Sequence, residues 1–543
     1  MSTETSFQTN PSPPLSDAIV IGGGFAGMYM LHSLRKLGMT ARVFEAASDV
    51  GGTWYWNRYP GARCDVTSID YSYSFSEELE QEWIWTEKFA GQSEILAYAN
   101  HVADRFDLRR DMQFDTRINS AVYNAEGPSW VVTTDAGVRY EAHYCIMATG
   151  CLSAPKDPVI PGLQSFAGPV YFTSRWPQGG VDFAGKRVGV IGTGSSGIQA
   201  IPEIAKQAGH LTVFQRTPSF SLPARNTPLA SDVLDEVKRH YPARRAEARR
   251  HPAGNPRPLT HRRTFSVDDA ERRALFEAAW ASGGVDIFGK FGDLLTDETA
   301  NAEISGYIRD KIDSVVKDPK VAAALKPFDY PFGGRRVCLD TEYYETFNRT
   351  NVSLVDLLAD PLETITPEGV KTRDHQHPVD MLVLATGFDA MTGALLAIDI
   401  RGRDGRSLRD KWASGPASYL GLAIEGFPNL FTITGPGSPS VLTNVICSIE
   451  QHVEWLSDLF VYLREKQIVE IEASPEAEAA WVGTTYDLAH KTLYMKANSW
   501  YLGANVPGKP RVFMPYVGGL HTYRDICSEV AAEDYRGFRL GAP

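Results

Sequence analysis

An α/β chain with two Rossmann-like dinucleotide-binding units and a helical insertion is predicted by three observations. VIGGGFAG sets glycines at 22, 24 and 27, and VIGTGSSG sets them at 192, 194 and 197. Each set is followed by a short apolar strand whose end lies 18 residues beyond the last glycine, at Glu45 in ARVFEA and at Gln215 in HLTVFQR. Two further apolar strands, CIMATG (145–150) and LVLATG (382–387), both end in Ala-Thr-Gly and return the chain to the same neighbourhood.

Taken in order, Asp17 to Ile21 is an apolar strand running straight into the first glycines, and Phe25 to Leu37 has helical periodicity ending at Gly38. ARVFEA then makes a β–glycine turn–α–β unit, the context in which GxGxxG is informative. Residues 187–216 repeat it as RVGVIG, SSGIQAIPEIAKQAG and LTVFQR. Residues 224–332 change texture: charged, helix-like segments such as SVDDAERRALFEAAW and ISGYIRDKIDSVVKD predict a helical insertion. From about residue 390, β-turn-rich sequence and the amphipathic stretch VLTNVICSIEQHVEWLSDLFVYL complete the first domain. The predicted layout is a first domain in two parts (17–145 and 386–543) wrapped around a second (151–223 and 333–385), with 224–332 inserted in the second.

The bulk numbers agree. A chain of 543 residues exceeds one hydrophobic core. Its 43% apolar and 22% charged residues are those of a globular protein, and a net charge of −12 argues against nucleic acid as a partner. The basic run ARRAEARRHPAGNPRPLTHRR (243–263) reads as a solvated helix-and-loop surface, with a nuclear address or phosphate patch as the alternative. Cysteines at 64, 145, 151, 338, 447 and 527 form no CxxC and sit at no metal spacing, so a reduced, cytoplasmic chain without a bound metal is expected. The polar, Pro-rich start MSTETSFQTNPSPPLSD is expected to be a disordered lead rather than a signal peptide, and no apolar run approaches a membrane span. Nothing in the sequence sets the oligomeric state; a monomer is compatible.

In a dinucleotide fold the glycines let backbone approach the pyrophosphate, and the acid ending the second strand accepts hydrogen bonds from the ribose hydroxyls. Glu45 therefore fits FAD or NAD and would repel a 2′-phosphate. In the second unit Gln215 is neutral and Arg216 follows, and a guanidinium suits a phosphate through paired charge-assisted hydrogen bonds. The second unit is thus expected to take NADPH; otherwise Arg216 is a solvated strand-end residue. Two dinucleotides in one chain imply hydride passing from NADPH to a flavin. A disulfide reductase would pass the electrons to a CxxC, which is absent, and oxygen is the obvious alternative acceptor. GGTWYWNRYPGARCD (51–65) has the composition of an ordered loop, its aromatics covering a planar ligand and Asp65 at its end.

This loop, the paired glycine units and both Ala-Thr-Gly strands resemble the flavin-dependent, NADPH-using Baeyer–Villiger monooxygenases. The loop pattern of that family is matched at Gly52, Trp54, Tyr59, Pro60, Gly61 and Asp65. DYPFGGRRVCLDTEYYETFNR (329–349), NSWYLGANVPGK (498–509) and GPGSPSVLTN (435–444) are further matches, the last like the phenylacetone, steroid and cyclohexanone monooxygenase group. The resemblance implies that Arg336 stabilises the anionic C4a-peroxyflavin and its ketone adduct, with Asp65 as its partner. It implies that Arg335 stands at the position of the 2′-phosphate lysine and that Trp500 closes on the NADP ribose. It also assigns cofactor contacts to Gly22, Gly24, Phe25, Ala26, Gly27, Glu45, Gly52, Thr53, Trp54, Arg63, Asp65 and Tyr71 on the FAD side. Thr193, Gly194, Ser195, Ser196, Gly197, Arg216, Thr217 and Arg335 fall on the NADP side. Val66, Leu152, Ser440, Val441, Leu442 and Val445 are its pocket wall.

The implied reaction is oxidation of an apolar ketone by O2 and NADPH to an ester or lactone. The alternatives are oxygenation of sulfides or amines, or a flavoprotein that binds NADPH without oxygenating. One departure stands out: in FAGPVYFTSRWP, Phe166, Gly168, Trp176 and Pro177 fit a second family signature, but its histidine position is Phe172. Phenylalanine neither titrates nor donates a hydrogen bond, so coupling of NADPH oxidation to oxygenation is expected to change.

Overall fold

The computed structural model describes residues 15–541. Most of the expected polar lead falls outside them. Strand Ser16–Ile21 lies between the parallel strands Ala41–Phe44 and Arg139–Met147 in an eight-stranded sheet. Its outer strands include the antiparallel pair Ile118–Asn124 and Ser129–Thr134. Late segments complete it: Asp399–Arg401 pairs with Ile118–Asn124, and Leu430–Thr432 pairs with Arg139–Met147. Helix Phe25–Lys36 covers this sheet and is covered in turn by helix Val445–Glu465. Met28, Leu31, Leu34, Val453, Leu456 and Leu459 are fully buried in one core, each such side chain contributing about 1.5–3 kcal/mol of apolar burial.

The second sheet has five parallel strands in the order Val352–Asp356, His210–Gln215, Arg187–Ile191, Met381–Leu384, Val170–Phe172. Being covered on both faces, its strands are continuous apolar runs rather than alternating ones. Phe172 ends the edge strand opposite Leu384 and packs into an apolar cluster with Ile191, Phe214 and Leu382.

The insertion is helical as expected, with helices Ser231–Arg250, Asp269–Ser282, Glu298–Val315 and Pro319–Leu325. It is divided between neighbours. The last three pack into the core of the second sheet. The first lies against the first domain, and the expectation of a solvated basic surface over 243–263 is corrected at Arg244 and Arg245, while Arg250, Arg262 and Arg263 are exposed as expected. Arg245 is buried and paired with Glu80 at 2.7 Å, and Arg244 makes two hydrogen bonds to the Asp70 carboxylate, at 2.7 and 2.6 Å. Charges spaced as on an exposed helix are used at an interface, because Asp70, in a turn, and Glu80, in helix Glu77–Glu82, lie some 165–175 positions away in sequence. All six cysteines are free thiols. Among the described residues no helix is long and apolar enough to cross a membrane.

Candidate functional site

The two glycine units fold alike. Ile21 stands opposite Phe44 and Met147, and Ile191 stands opposite Phe214 and Leu384. A methyl on Gly27 would sit 1.8 Å from the Gly22 carbonyl oxygen, and one on Gly197 would sit 2.2 Å from that of Gly192. Only glycine lets helix and turn approach so closely. Gly24 and Gly194 begin the two helices without a side-chain cap. Helices of the insertion are instead capped by Asp268, Asp297 and Asp318. The first N–H groups of the two cradle helices are thus left for a ligand, where the helix dipole favours an anion.

The strand-end residues differ. Glu45 is buried and turns back on the glycine loop, accepting from the Gly23 N–H at 2.6 Å and the Ala47 N–H at 2.8 Å. Burial raises its pKa, and the backbone donors oppose that rise. Gln215, also buried, faces the insertion and donates to the Ala324 carbonyl at 2.7 Å. Arg216 beside it is exposed, and its guanidinium makes no ion pair among the described residues. It lines a cleft of about 360 Å³ together with Thr217, Arg335, Trp500, Asn505 and Arg511. Around this cleft the Arg335 Nε, the Ser499 hydroxyl and the Asn505 side-chain oxygen are buried without a hydrogen-bond partner among the described residues. Two orphaned donors and an orphaned acceptor beside these cations fit a phosphorylated ribose, whose phosphate accepts and whose hydroxyl donates. Arg335 lies over the Tyr330 ring at 4.6 Å; burial lowers its pKa, and the nearby Arg216 adds to this. Lys156 and Arg511 add positive charge that sequence reasoning missed, since neither stands in a glycine unit. Lys156 donates to the Asn505 carbonyl at 2.9 Å, and burial together with Arg216 lowers its pKa.

Loop 51–65 joins the cradles. The Gly52 Cα lies beside Gly24, and a methyl on Gly61 would sit 2.2 Å from the Gln199 carbonyl oxygen on the second cradle helix. The Tyr59 hydroxyl donates to the Gln199 side-chain oxygen at 2.8 Å, and the Gln199 amide donates to the Arg63 carbonyl at 2.9 Å. Arg63, expected at the cofactor, is held by Glu87 at 2.5 Å and the Phe89 carbonyl, so it braces the loop. The Trp54 indole donates to the Tyr71 hydroxyl at 3.1 Å, fixing the aromatic wall, while Thr53 is exposed. On the second cradle, the Thr193 hydroxyl donates to the Thr217 carbonyl and Ser195 accepts from the Cys338 thiol, both at 3.1 Å.

Asp65, at the end of the loop, meets Arg336. Two nitrogens of the guanidinium reach one carboxylate oxygen, Nε at 3.1 Å and Nη2 at 3.0 Å, and Nη1 donates to the Val441 carbonyl at 3.2 Å. Burial alone would ease proton loss from Arg336, but the Asp65 carboxylate, joined by Tyr501 and Cys338, outweighs it and raises the pKa. The carboxylate is 13% exposed and the guanidinium 35%. Such a pair adds little net stability; its effect is to fix a cation between the two cradles. Arg335 and Arg336 are adjacent, yet one faces the cleft and the other Asp65.

The expected pocket wall is only partly assembled as one surface. Leu152, Val441 and Trp500 pack with Met391 and Met514, and Leu442 joins Tyr501 and Phe513. Val66 and Val445 pack instead on the first-domain core. Ser440 is fully buried behind the wall, bonded to the Cys151 thiol at 2.9 Å. Cys151 also donates to the Thr434 carbonyl at 3.2 Å. Thr434, Ser440 and Met391, with φ of 58°, 43° and 67°, hold backbone strain beside the pocket. His452 props this corner, its Nδ1 accepting from the Thr434 N–H at 2.9 Å, while burial lowers its pKa to about 3 and keeps it neutral. No sequence signal pointed to Cys151, Thr434 or His452, because their roles arise where distant loops meet.

The two cradles, and the cation between them, define a flavin- and pyridine-nucleotide-dependent oxidoreductase. Residues 19–248 match the family model described as pyridine nucleotide-disulphide oxidoreductase. Over 537 residues the chain is 42% identical to acetone monooxygenase (methyl acetate-forming) of Gordonia sp. (strain TY-5), covering 96% of this chain and 99% of that one. Oxidized steroid monooxygenase bound to NADP superposes with a TM-score of 0.94 at 51% identity, over 98% of this chain and 100% of that one. A complex of OTEMO with FAD and NADP gives 0.94 at 41%, with the same coverage. The chain belongs to the Baeyer–Villiger monooxygenases, and its cofactors are FAD and NADP.

Proposed function

We propose that this chain converts an apolar ketone to an ester or lactone with NADPH and O2, and that Arg336 and Asp65 are its catalytic pair. The observation that carries the reading is the Arg336 guanidinium held between Asp65 and the Val441 carbonyl at the junction of the cradles. Bound flavin supplies reduction by NADPH and activation of O2. Glu45 and the uncapped helix behind Gly24 hold that cofactor at the first cradle. Gly194 and the helix it begins, with Arg216 and Arg335, hold the 2′-phosphorylated nucleotide at the second, where Trp500 lines the same cleft. Arg336 places a fixed positive charge where negative charge develops on oxygen, which is electrostatic preorganisation. Asp65 orients that guanidinium and keeps it charged. Leu152, Val441 and Leu442 present the apolar wall, with Met391 and Met514 behind it, which favours a ketone without charged groups and excludes water.

The test is a panel of linear, cyclic, aromatic and polycyclic ketones, with and without a sulfide, supplied with NADPH in air and read by mass spectrometry. Ester or lactone is expected from the wild type. Arg336→Ala should keep its flavin absorbance and lose product by roughly 10²–10³-fold, as when one charge-stabilising donor is removed. Ester at the wild-type rate from Arg336→Ala overturns the assignment of the pair; sulfoxide with no ester from any ketone overturns the reaction class.

A further inference from the structure

Outside the nucleotide clefts, one group of side chains has ligating chemistry that the oxidation does not use. Asp360, His375 and His377 bring one carboxylate oxygen and two imidazole nitrogens within 4.8 Å of one another. His377 lies on the small antiparallel sheet Leu362–Thr366, Gly369–Thr372 and Gln376–Pro378, which packs on the outer face of the second parallel sheet; Asp360 stands two residues before its first strand and His375 one before its last.

The arrangement is built before any ligand arrives. The Asp374 N–H donates to Asp360 Oδ1 at 2.9 Å, and the Thr372 hydroxyl donates to Asp360 Oδ2 at 2.6 Å. These two contacts fix the carboxylate as outer-shell partners fix a metal ligand. His375 Nδ1 is 2.9 Å from the same Oδ2, and His377 Nε2 is 3.1 Å from the Thr372 oxygen. The His377 ring stands edge-on to Phe214, 5.4 Å away at 83°. The His375 and His377 rings lie near one another, with centroids 6.0 Å apart. Ligand atoms about 2.0–2.2 Å from a zinc-class ion lie roughly 3–3.5 Å from one another, and the Asp360–His375 spacing is already close to that. His375 is 68% exposed, so it can swing to close the set and leaves an outer position for water. The nearest guanidinium, Arg373, is occupied by the Asp374 carboxylate and the Ala359 carbonyl, each at 2.9 Å, and does not fill the site. A carboxylate and two imidazoles suit a borderline divalent ion better than Mg2+ or Ca2+, which take oxygen ligands.

We propose that Asp360, His375 and His377 form a surface site for one divalent ion of the zinc class, tying the small sheet together on the outside of the nucleotide-binding half. Asp360 precedes the sheet's first strand, while His375 and His377 follow the turn at Arg373 and Asp374, so the ion joins the approach to the sheet to its last strand. The site is separate from Arg336 and Asp65.

Titration calorimetry with ZnCl2 on the tag-free, full-length, FAD-loaded protein tests it, with thermal melting as a second readout. One equivalent is expected to bind and raise the melting temperature. His375→Ala, whose side chain is exposed and packs little, should fold normally, weaken the affinity by at least about tenfold and lose the thermal shift. His377→Ala should do the same. Failure to saturate at one equivalent, or equal affinity in the wild type and both variants, overturns the proposal.

Discussion

The two cradles share a backbone and differ in what closes them. Their strand registers coincide, and Gly22 and Gly192 have φ of 113° and 111°. A methyl on either would strike the strand next door, at the Ala148 oxygen (2.4 Å) or the Ala385 oxygen (2.5 Å). Yet at the end of the second strand Glu45 bends inward to the glycine turn, while Gln215 is drawn off toward the insertion and leaves Arg216 facing the cleft. On the proposed reading, the glycine turn fixes where a pyrophosphate lies, while one side chain and its neighbours choose the nucleotide.

The largest effect should come from filling the glycine contact on one side at a time. Gly27→Ala forces a methyl into the Gly22 carbonyl, an overpacking of about 1–3 kcal/mol or more, and should yield protein with at least roughly tenfold less bound flavin, hence little activity of any kind. Gly197→Ala should stay yellow and lose NADPH-driven reduction instead. Flavin absorbance after gel filtration separates the two; equal flavin loss from both would break the division of labour between cradles.

A smaller and more selective effect is expected at the cation cleft. Removing one charge-assisted contact to phosphate is worth about 1.5–3 kcal/mol, so Arg216→Ala should raise the KM for NADPH by roughly 10–100-fold and barely move that for NADH. Arg335→Ala should act in the same direction. Stopped-flow reduction with both nucleotides reads this, and a parallel rise in the two KM values would deny Arg216 its role.

The smallest effect should come from the edge strand of the second sheet. Phe172 is packed among Ile191, Phe214 and Leu382, so Phe172→His places a polar ring in an apolar cluster. Peroxide yield per NADPH should fall, at a loss of stability of about 1–3 kcal/mol. An unchanged peroxide yield would mean that the position does not govern coupling.

Much of this was legible from residue order. The doubled glycine sets, the Ala-Thr-Gly strands and the aromatic loop up to Asp65 are local patterns whose geometry follows from φ preferences and strand periodicity. Arg216 could be placed because the repeat supplied its register. The basic run at 243–263 misled because a paired, buried Arg245 and a solvated one have the same sequence signature. Ser440 misled for a related reason: proximity to Val441 in the chain did not say which of the two faces the pocket.

The sequence by itself determined the class of fold and the two nucleotides, since both are written in short-range spacing that backbone sterics and charge chemistry constrain; the guanidinium–carboxylate pair, 271 positions apart, was implied only by the resemblance to the family. Only tertiary structure decided what surrounds them. Lys156 meeting Asn505 beside the cation cleft joins segments 349 positions apart, while Arg63 bracing on Glu87 and His452 propping Thr434 join residues 24 and 18 positions apart. Packing selects such contacts by shape and burial, and no local periodicity encodes them.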